Sequence, residues 1–223
     1  MMTNLFSTFD PSTSIKMSWN WLSMMLFMTM FPMKYWIKKS RMSTMLQLVL
    51  NLLTKELKNT LNNKSKEVII IMMSLFTFII MNNMMGLLPY VFTATSHMLI
   101  NLSLALPLWM SIMLFSWINK TNMMFIHLTP LGTPEIIMPF MVMIEIISSV
   151  IRPVSLSVRL TANMITGHLL MTLLETSLVL TSIPILMVQM FLMIFEMAVA
   201  VIQAYVFMML MTLYISEVNY EFK

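Results

Sequence analysis

No cysteine occurs among the 223 residues, which excludes disulfides, thiolate metal sites and cysteine nucleophiles together. Glycine is nearly absent as well, at three in the whole chain, and this removes fibrous repeats and Gly-rich disordered sequence from consideration. Charge is scarce: only 10% of residues are Asp, Glu, Lys or Arg, against about 25% in soluble domains. What remains is apolar. Hydrophobic residues make up 59% of the chain and the mean hydropathy is +0.85, the composition of an all-α polytopic membrane protein. Neither a basic leader with a small-residue cleavage site nor an Arg-rich amphipathic transit peptide is present, so no cleaved segment is expected. Methionine reaches 32 residues. We account for it by an AT-rich gene read with an organellar code that gives Met an extra codon, and a gene using the standard code at those positions would refute this.

The few charges are unevenly placed. Of the 13 Lys and Arg, eight fall between Lys34 and Lys66, directly after a hydrophobic segment. No compact basic domain accompanies them, so nucleic acid is not an expected partner. The cluster reads instead as the basic face of a membrane protein.

The uncharged run 17–33, with Trp19 and Trp21 near one end and Tyr35 and Trp36 past the other, predicts a transmembrane helix with aromatic belts. The basic cluster follows it, which sets the N-terminus on the opposite side of the membrane. Over 45–61, Leu46, Val49, Leu50, Leu53, Leu57 and Leu61 share one helical face, while Gln47, Asn51, Thr54, Lys55, Lys58 and Asn62 share the other. That is an amphipathic helix, lying along the membrane surface or packed on a soluble partner. Residues 68–118 are too long for one crossing and predict a hairpin of helices 68–88 and 98–118, broken around Gly86, Pro89 and Thr93–Ser96. Pro130, Gly132 and Pro134 close the loop 119–134. Thr133 is the expected cap of the next helix, with Pro134 at its first position and Glu135 against its dipole.

Two long helical segments remain, 134–180 and 184–217. At 1.5 Å per residue they reach on the order of 67 Å and 50 Å, against a hydrocarbon core of about 30 Å. Either both tilt steeply, which is the reading preferred here, or the first divides at Pro153 into two crossings.

Within these segments lie Glu145, Arg152, Arg159, Asn163, His168, Glu175, Glu196 and Gln203. Arg159 weighs most. A guanidinium stays charged at any biological pH, and placing it mid-helix in a bilayer costs roughly 2.5–3.5 kcal/mol on insertion scales. At 100° per residue Glu145 projects about 40° from Arg159 and four turns away, Asn163 lies one turn on, and His168 projects to the opposite face. Glu196 and Gln203, seven apart, share a face of the last helix. The arrangement suits two polar pathways divided by a fixed cation. The plain alternative for Arg159, Glu145 and Glu196 is structural ion pairing. Arg152, beside Pro153, reads as a kink stabiliser or interfacial anchor, and Glu175 as an exposed helix-end residue. Asn163 and Gln203 are equally suited to bridging helices. His97 and His127 fall near loops and carry no assignment.

The run Ser157-Val158-Arg159-Leu160-Thr161-Ala162-Asn163-Met164-Ile165-Thr166-Gly167-His168 resembles the signature of subunit a of F-type ATP synthases in its mitochondrial form. Glu196-Met197-Ala198-Val199-Ala200-Val201-Ile202-Gln203-Ala204-Tyr205-Val206-Phe207 resembles that family's second motif, and Asn4-Leu5-Phe6 with Phe9-Asp10-Pro11 resembles insect versions. The resemblance extends over the whole chain, as a single membrane domain 1–223. It implies a static subunit beside a rotating ring of proteolipids, the c-ring, in the mitochondrial inner membrane, with the N-terminus in the intermembrane space. Other membrane and peripheral-stalk subunits and lipid are the further partners it implies. Arg159 matches the arginine facing the ring. Glu196 and His168 match the half-channel from the intermembrane space, Glu145 and Asn163 match the matrix-side half-channel, and Gln203 lies near the Arg. No cofactor and no metal are expected. The chain has no Walker-type nucleotide motif, so no catalytic residues are expected and phosphoryl chemistry belongs elsewhere in the complex. A haem protein would need paired axial ligands, which His97, His127 and His168 do not offer. The alternative that stays open is a secondary ion transporter or antiporter subunit, although no internal repeat supports it.

Overall fold

The computed structural model describes residues 5–14, 17–26, 38, 40–61, 66–88, 91–119, 121–129, 134, 136–177 and 183–220. Among these residues two 3-10 segments, Leu5–Phe9 and Trp19–Leu26, precede six α-helices: α1 Arg41–Thr60, α2 Lys66–Gly86, α3 Met98–Asn119, α4 Thr121–Leu128, α5 Met138–Ser177 and α6 Ile183–Tyr220. By length and composition, four of these are able to cross a membrane, over Lys66–Gly86, Met98–Asn119, Met138–Glu175 and Leu186–Ser216. Among the described residues there is no strand, only an isolated bridge between Ser14 and Met17.

Of the span expected at 17–33, residues 17–26 are described and hold the 3-10 helix Trp19–Leu26, and 27–33 lie outside the described residues. Trp21 is not a free belt residue. Its ring packs on Phe92 at 5.7 Å and on His97 at 5.1 Å between centroids, which ties this segment to the α2–α3 connection. Just before it, Asp10 accepts the Ser12 N–H at 3.1 Å, which holds its carboxyl below the ordinary range.

Helix α1 begins at Arg41, capped by the Ser40 hydroxyl accepting from the Ser43 N–H. Its Leu53 and Leu57 are buried, and the helix lies across α2 and α6. The face carrying Met42, Met45, Val49 and Leu52 stays exposed. One side of the amphipathic stripe is thus satisfied within the chain. Glu56 adds a polar tie, accepting the Tyr205 hydroxyl of α6 at 3.3 Å.

The hairpin helices do not pack mainly on each other. α2 lies along α6, α3 along α5, and α5 along α6. Small side chains sit at these contacts: Ala105, Ser116, Ser157, Ala200 and Ala204 are all fully buried or nearly so. In lipid, helices associate through close van der Waals fit rather than hydrophobic exclusion, which is why small residues collect there. At Gly86 an added Cβ would lie 3.0 Å from Thr93 Cγ2 and 3.4 Å from Met164 Cε, so the turn after α2 presses directly against α5. The expected loop 119–134 contains α4. Helix α5 starts at Met138, after a turn in which the Ile137 N–H bonds the Pro134 carbonyl. It does not start at Pro134, and Thr133 and Glu135 lie outside the described residues.

Pro153 does not divide α5. It removes one backbone donor, yet the helix runs through it for 40 residues and the ring is fully buried. Keeping the 38-residue apolar stretch Met138–Glu175 inside a core of about 30 Å requires a tilt of roughly 60° from the bilayer normal.

Leu57 is 0% exposed and joins α1 to the bundle. Leu57→Ala should cost about 2–5 kcal/mol of local packing. The expected outcome is faster protease cleavage of α1 in the detergent-solubilised protein, with α2 to α6 unaffected.

Candidate functional site

Helices α5 and α6 run antiparallel, and two contacts set their register. Arg159 and Gln203 line one narrow crevice together with Leu156, Leu160, Val206 and Phe207. Eight residues further along α5 and seven back along α6, Gly167 meets Glu196. A Cβ on Gly167 would stand 3.0 Å from Glu196 Cδ and 3.1 Å from its Oε1. The glycine is therefore what lets the carboxyl lie flat on α5. The two levels are about 12 Å apart along the helix.

The two levels differ in chemistry. The Glu196 side chain is 9% exposed, and its Oε1 is buried without a hydrogen-bond partner. His168, next to Gly167, also has a buried, unpartnered Nε2. The Phe9 ring of the N-terminal 3-10 segment covers it edge-on at 6.3 Å. Buried polar atoms without partners are rare and costly, of order 1–3 kcal/mol each, and water meets that need where there is room. Arg159 is exposed at the helix surface, and among the described residues no carboxylate pairs with it.

Glu145 lies beside Arg152, not beside Arg159. Its Oε1 is 3.8 Å from Arg152 Nη2, and the Arg152 guanidinium sits 5.1 Å over the centre of the Tyr214 ring of α6. Seven residues is two turns, so the pair shares a face, and the same arithmetic puts Arg152 within about 20° of Arg159. Asn163 is half-buried one turn beyond Arg159, and its backbone carbonyl accepts the Thr166 hydroxyl. The crevice unites Arg159 with Gln203; Glu145 stands apart, as does the Glu196 and His168 level. Among the described residues no group of three or more His, Cys, Asp and Glu is placed to hold a metal ion.

A family model described as ATP synthase A chain matches residues 17–216. The chain belongs to the ATP synthase A chain family. It is 54% identical to ATP synthase subunit a of Drosophila melanogaster over 225 residues, covering 98% of this chain and all of the relative. With ATP synthase subunit a of Aedes aegypti and of Locusta migratoria the identity is 52%, again over 98% of this chain and all of each relative. Members of this family are the proton-translocating membrane subunits of ATP synthases, and the transporter alternative is not favoured.

For an ATP synthase A chain, the residues missed by reading along the sequence are those whose partners are distant. Gly167 stands out in the sequence only as part of a motif, and the close approach it allows is set by Glu196, 29 residues on. Tyr214 and Glu56 gave no local signal at all. The Glu145 and Arg152 pair was legible in principle, since opposite charges seven apart share a helix face.

Gly167→Ala should still assemble, because Glu196 can yield by a few tenths of an ångström, at a cost of about 1–3 kcal/mol. The assembled synthase should make ATP more slowly, while Gly167→Leu should prevent α5 from seating on α6. Rates and assembly on native gels check both.

Proposed function

We propose that this chain is the static proton path of a mitochondrial ATP synthase, offering two half-channels to a ring of proteolipids with Arg159 fixed between them. The observation that carries the reading is the state of Arg159. A permanent cation in an apolar helix, exposed and without a carboxylate from the described residues, calls for a counter-charge from beyond those residues. A carboxylate on a c-ring subunit moving past it supplies one. α5 and α6 form this path, within 134–180 and 184–217 of a single membrane domain.

On this reading protons arrive from the intermembrane space through Glu196 and His168, whose unpartnered buried atoms suit a hydrated inlet. They neutralise a ring carboxylate, which then enters lipid at little cost, since only the charged form is expensive to bury. After nearly a full turn the carboxylate loses its proton through the matrix-side outlet, to which Glu145 and Asn163 belong. Arg159 favours ionisation of the carboxylate passing it and blocks direct proton leakage between the channels, with Gln203 holding the other wall of its crevice. Each charge crossing the membrane supplies about 2.3 kcal/mol per 100 mV. The chain itself performs no nucleotide chemistry. Its partners are the ring, other membrane and peripheral-stalk subunits, and lipid, and its N-terminus faces the intermembrane space.

Arg159→Gln should abolish proton-driven ATP synthesis by the assembled complex; a variant that still synthesises ATP from a proton gradient would sink the proposal. Glu196→Gln should leave assembly intact and slow proton uptake roughly tenfold or more, the scale of losing one proton-transfer group. Unchanged flux would remove Glu196 from the inlet.

A further inference from the structure

Arg152 has no place in the path just described, although it lies on the same helix face as Arg159, two turns away. We propose that Arg152 is a positioning residue for the outlet carboxylate: its guanidinium, seated on the Tyr214 ring, holds Glu145 at a fixed place beside the end of α6. The inference rests on the reading of Glu145 as part of the outlet.

The geometry supplies both halves of the device. Arg152 Nη2 reaches Glu145 Oε1 at 3.8 Å, and its guanidinium carbon lies 5.1 Å over the Tyr214 ring centre. A planar guanidinium can stack on an aromatic face while its edge addresses a carboxylate. A lysine ammonium supplies the charge without the plane. Neither charge is deeply buried, at 38% and 40% exposure for Arg152 and Glu145, so the pair adds little to stability by itself. Its effect is geometric. Around Glu145 the helix surface is apolar, with Ile144, Ile146 and Ile147 exposed, and a carboxylate there is without a fixed orientation unless a cation provides one. Tyr214 stands 11 residues after Gln203 on α6, about 16 Å along the helix. The clamp therefore joins α5 to α6 well away from the Arg159 crevice, at the level of the outlet acid. This also separates the tasks of two arginines on one stripe: Arg152 finds counter-charge and aromatic support inside the chain, whereas Arg159 finds no counter-charge among the described residues.

The test is a double-mutant cycle on the complete synthase in sealed inner-membrane vesicles, measuring proton-driven ATP synthesis per assembled complex. Arg152→Met, which keeps the length of the stem, should lower the rate roughly tenfold, within what a small misplacement of a reacting group costs. In a Glu145→Gln background the same substitution should change almost nothing, because the group it positions is gone. Arg152→Lys should recover part of the rate, Tyr214→Phe should keep it, and Tyr214→Leu should lose part of it. If Arg152→Met costs the same factor with and without Glu145, Arg152 acts independently and the proposal fails while the outlet reading stands. If Glu145→Gln alone leaves synthesis unchanged, the outlet reading fails and the positioning role falls with it. Should Arg152→Met not assemble, the lysine and Tyr214 variants decide: equal rates in Arg152→Lys, Tyr214→Leu and the parent complex would overturn the clamp.

Discussion

A charge that cannot be neutralised, set in a helix that must live in hydrocarbon, constrains everything else in this molecule. Arg159 keeps its proton under all conditions, so the fold has to give it a surface and a counter-charge. The surface is the crevice formed where α5 meets α6, walled by Gln203 and four apolar side chains. The counter-charge is not on the described part of the chain. A protein that exposes such a group in a membrane carries half of an interface, and in the function proposed above the ring of proteolipids is the other half. Arg152 shows the contrasting solution, with an internal acid and an aromatic face satisfying the same kind of charge.

The acids are distributed along α5 with a consistency that suits the proposed path. Glu145 lies 14 residues before Arg159, and Glu196 meets α5 eight residues after it at Gly167, so about 21 Å and 12 Å separate them from the level of the cation. At one end the acid is paired and partly exposed. At the other it is buried, with an orphaned oxygen beside a histidine whose Nε2 is also unpartnered. Two carboxyl groups of one chain thereby occupy different environments, which is what uptake and release at different protonation states would use. The two levels span about 33 Å along α5, close to the thickness of the core, so one continuous helix carries both on its surface.

Much of the fold was legible because its signals are local. The uncharged runs of α2 and α3, their break after Gly86, and the length of the last two segments are properties of contiguous sequence. Other features were not. Pro153 left open a split helix, since the preference of an isolated proline opposes continuity, and burial of its ring within a continuous α5 overrides that preference. At 17–33 composition signals a helix, but neither the 3-10 winding of Trp19–Leu26 nor the packing of Trp21 on Phe92 and His97 is written in it. α4 is not legible in the sequence, because an eight-residue helix between turn residues has too short a period to stand out.

In the candidate site the same division holds. The sequence by itself determined the chemical inventory: which groups are charged, that Arg159 cannot lose its charge, that no thiol exists, and that the polar residues gather in the last two helices. Composition and spacing suffice for these because they depend on side-chain identity and helical period alone. Only the tertiary structure decided who meets whom: Glu196 on Gly167, Arg159 with Gln203, Arg152 between Glu145 and Tyr214, Phe9 over His168. Those contacts depend on the antiparallel register of α5 and α6 and on where the N-terminal segment returns. Such long-range register is set by close packing of small and large side chains across helices, which no local period encodes.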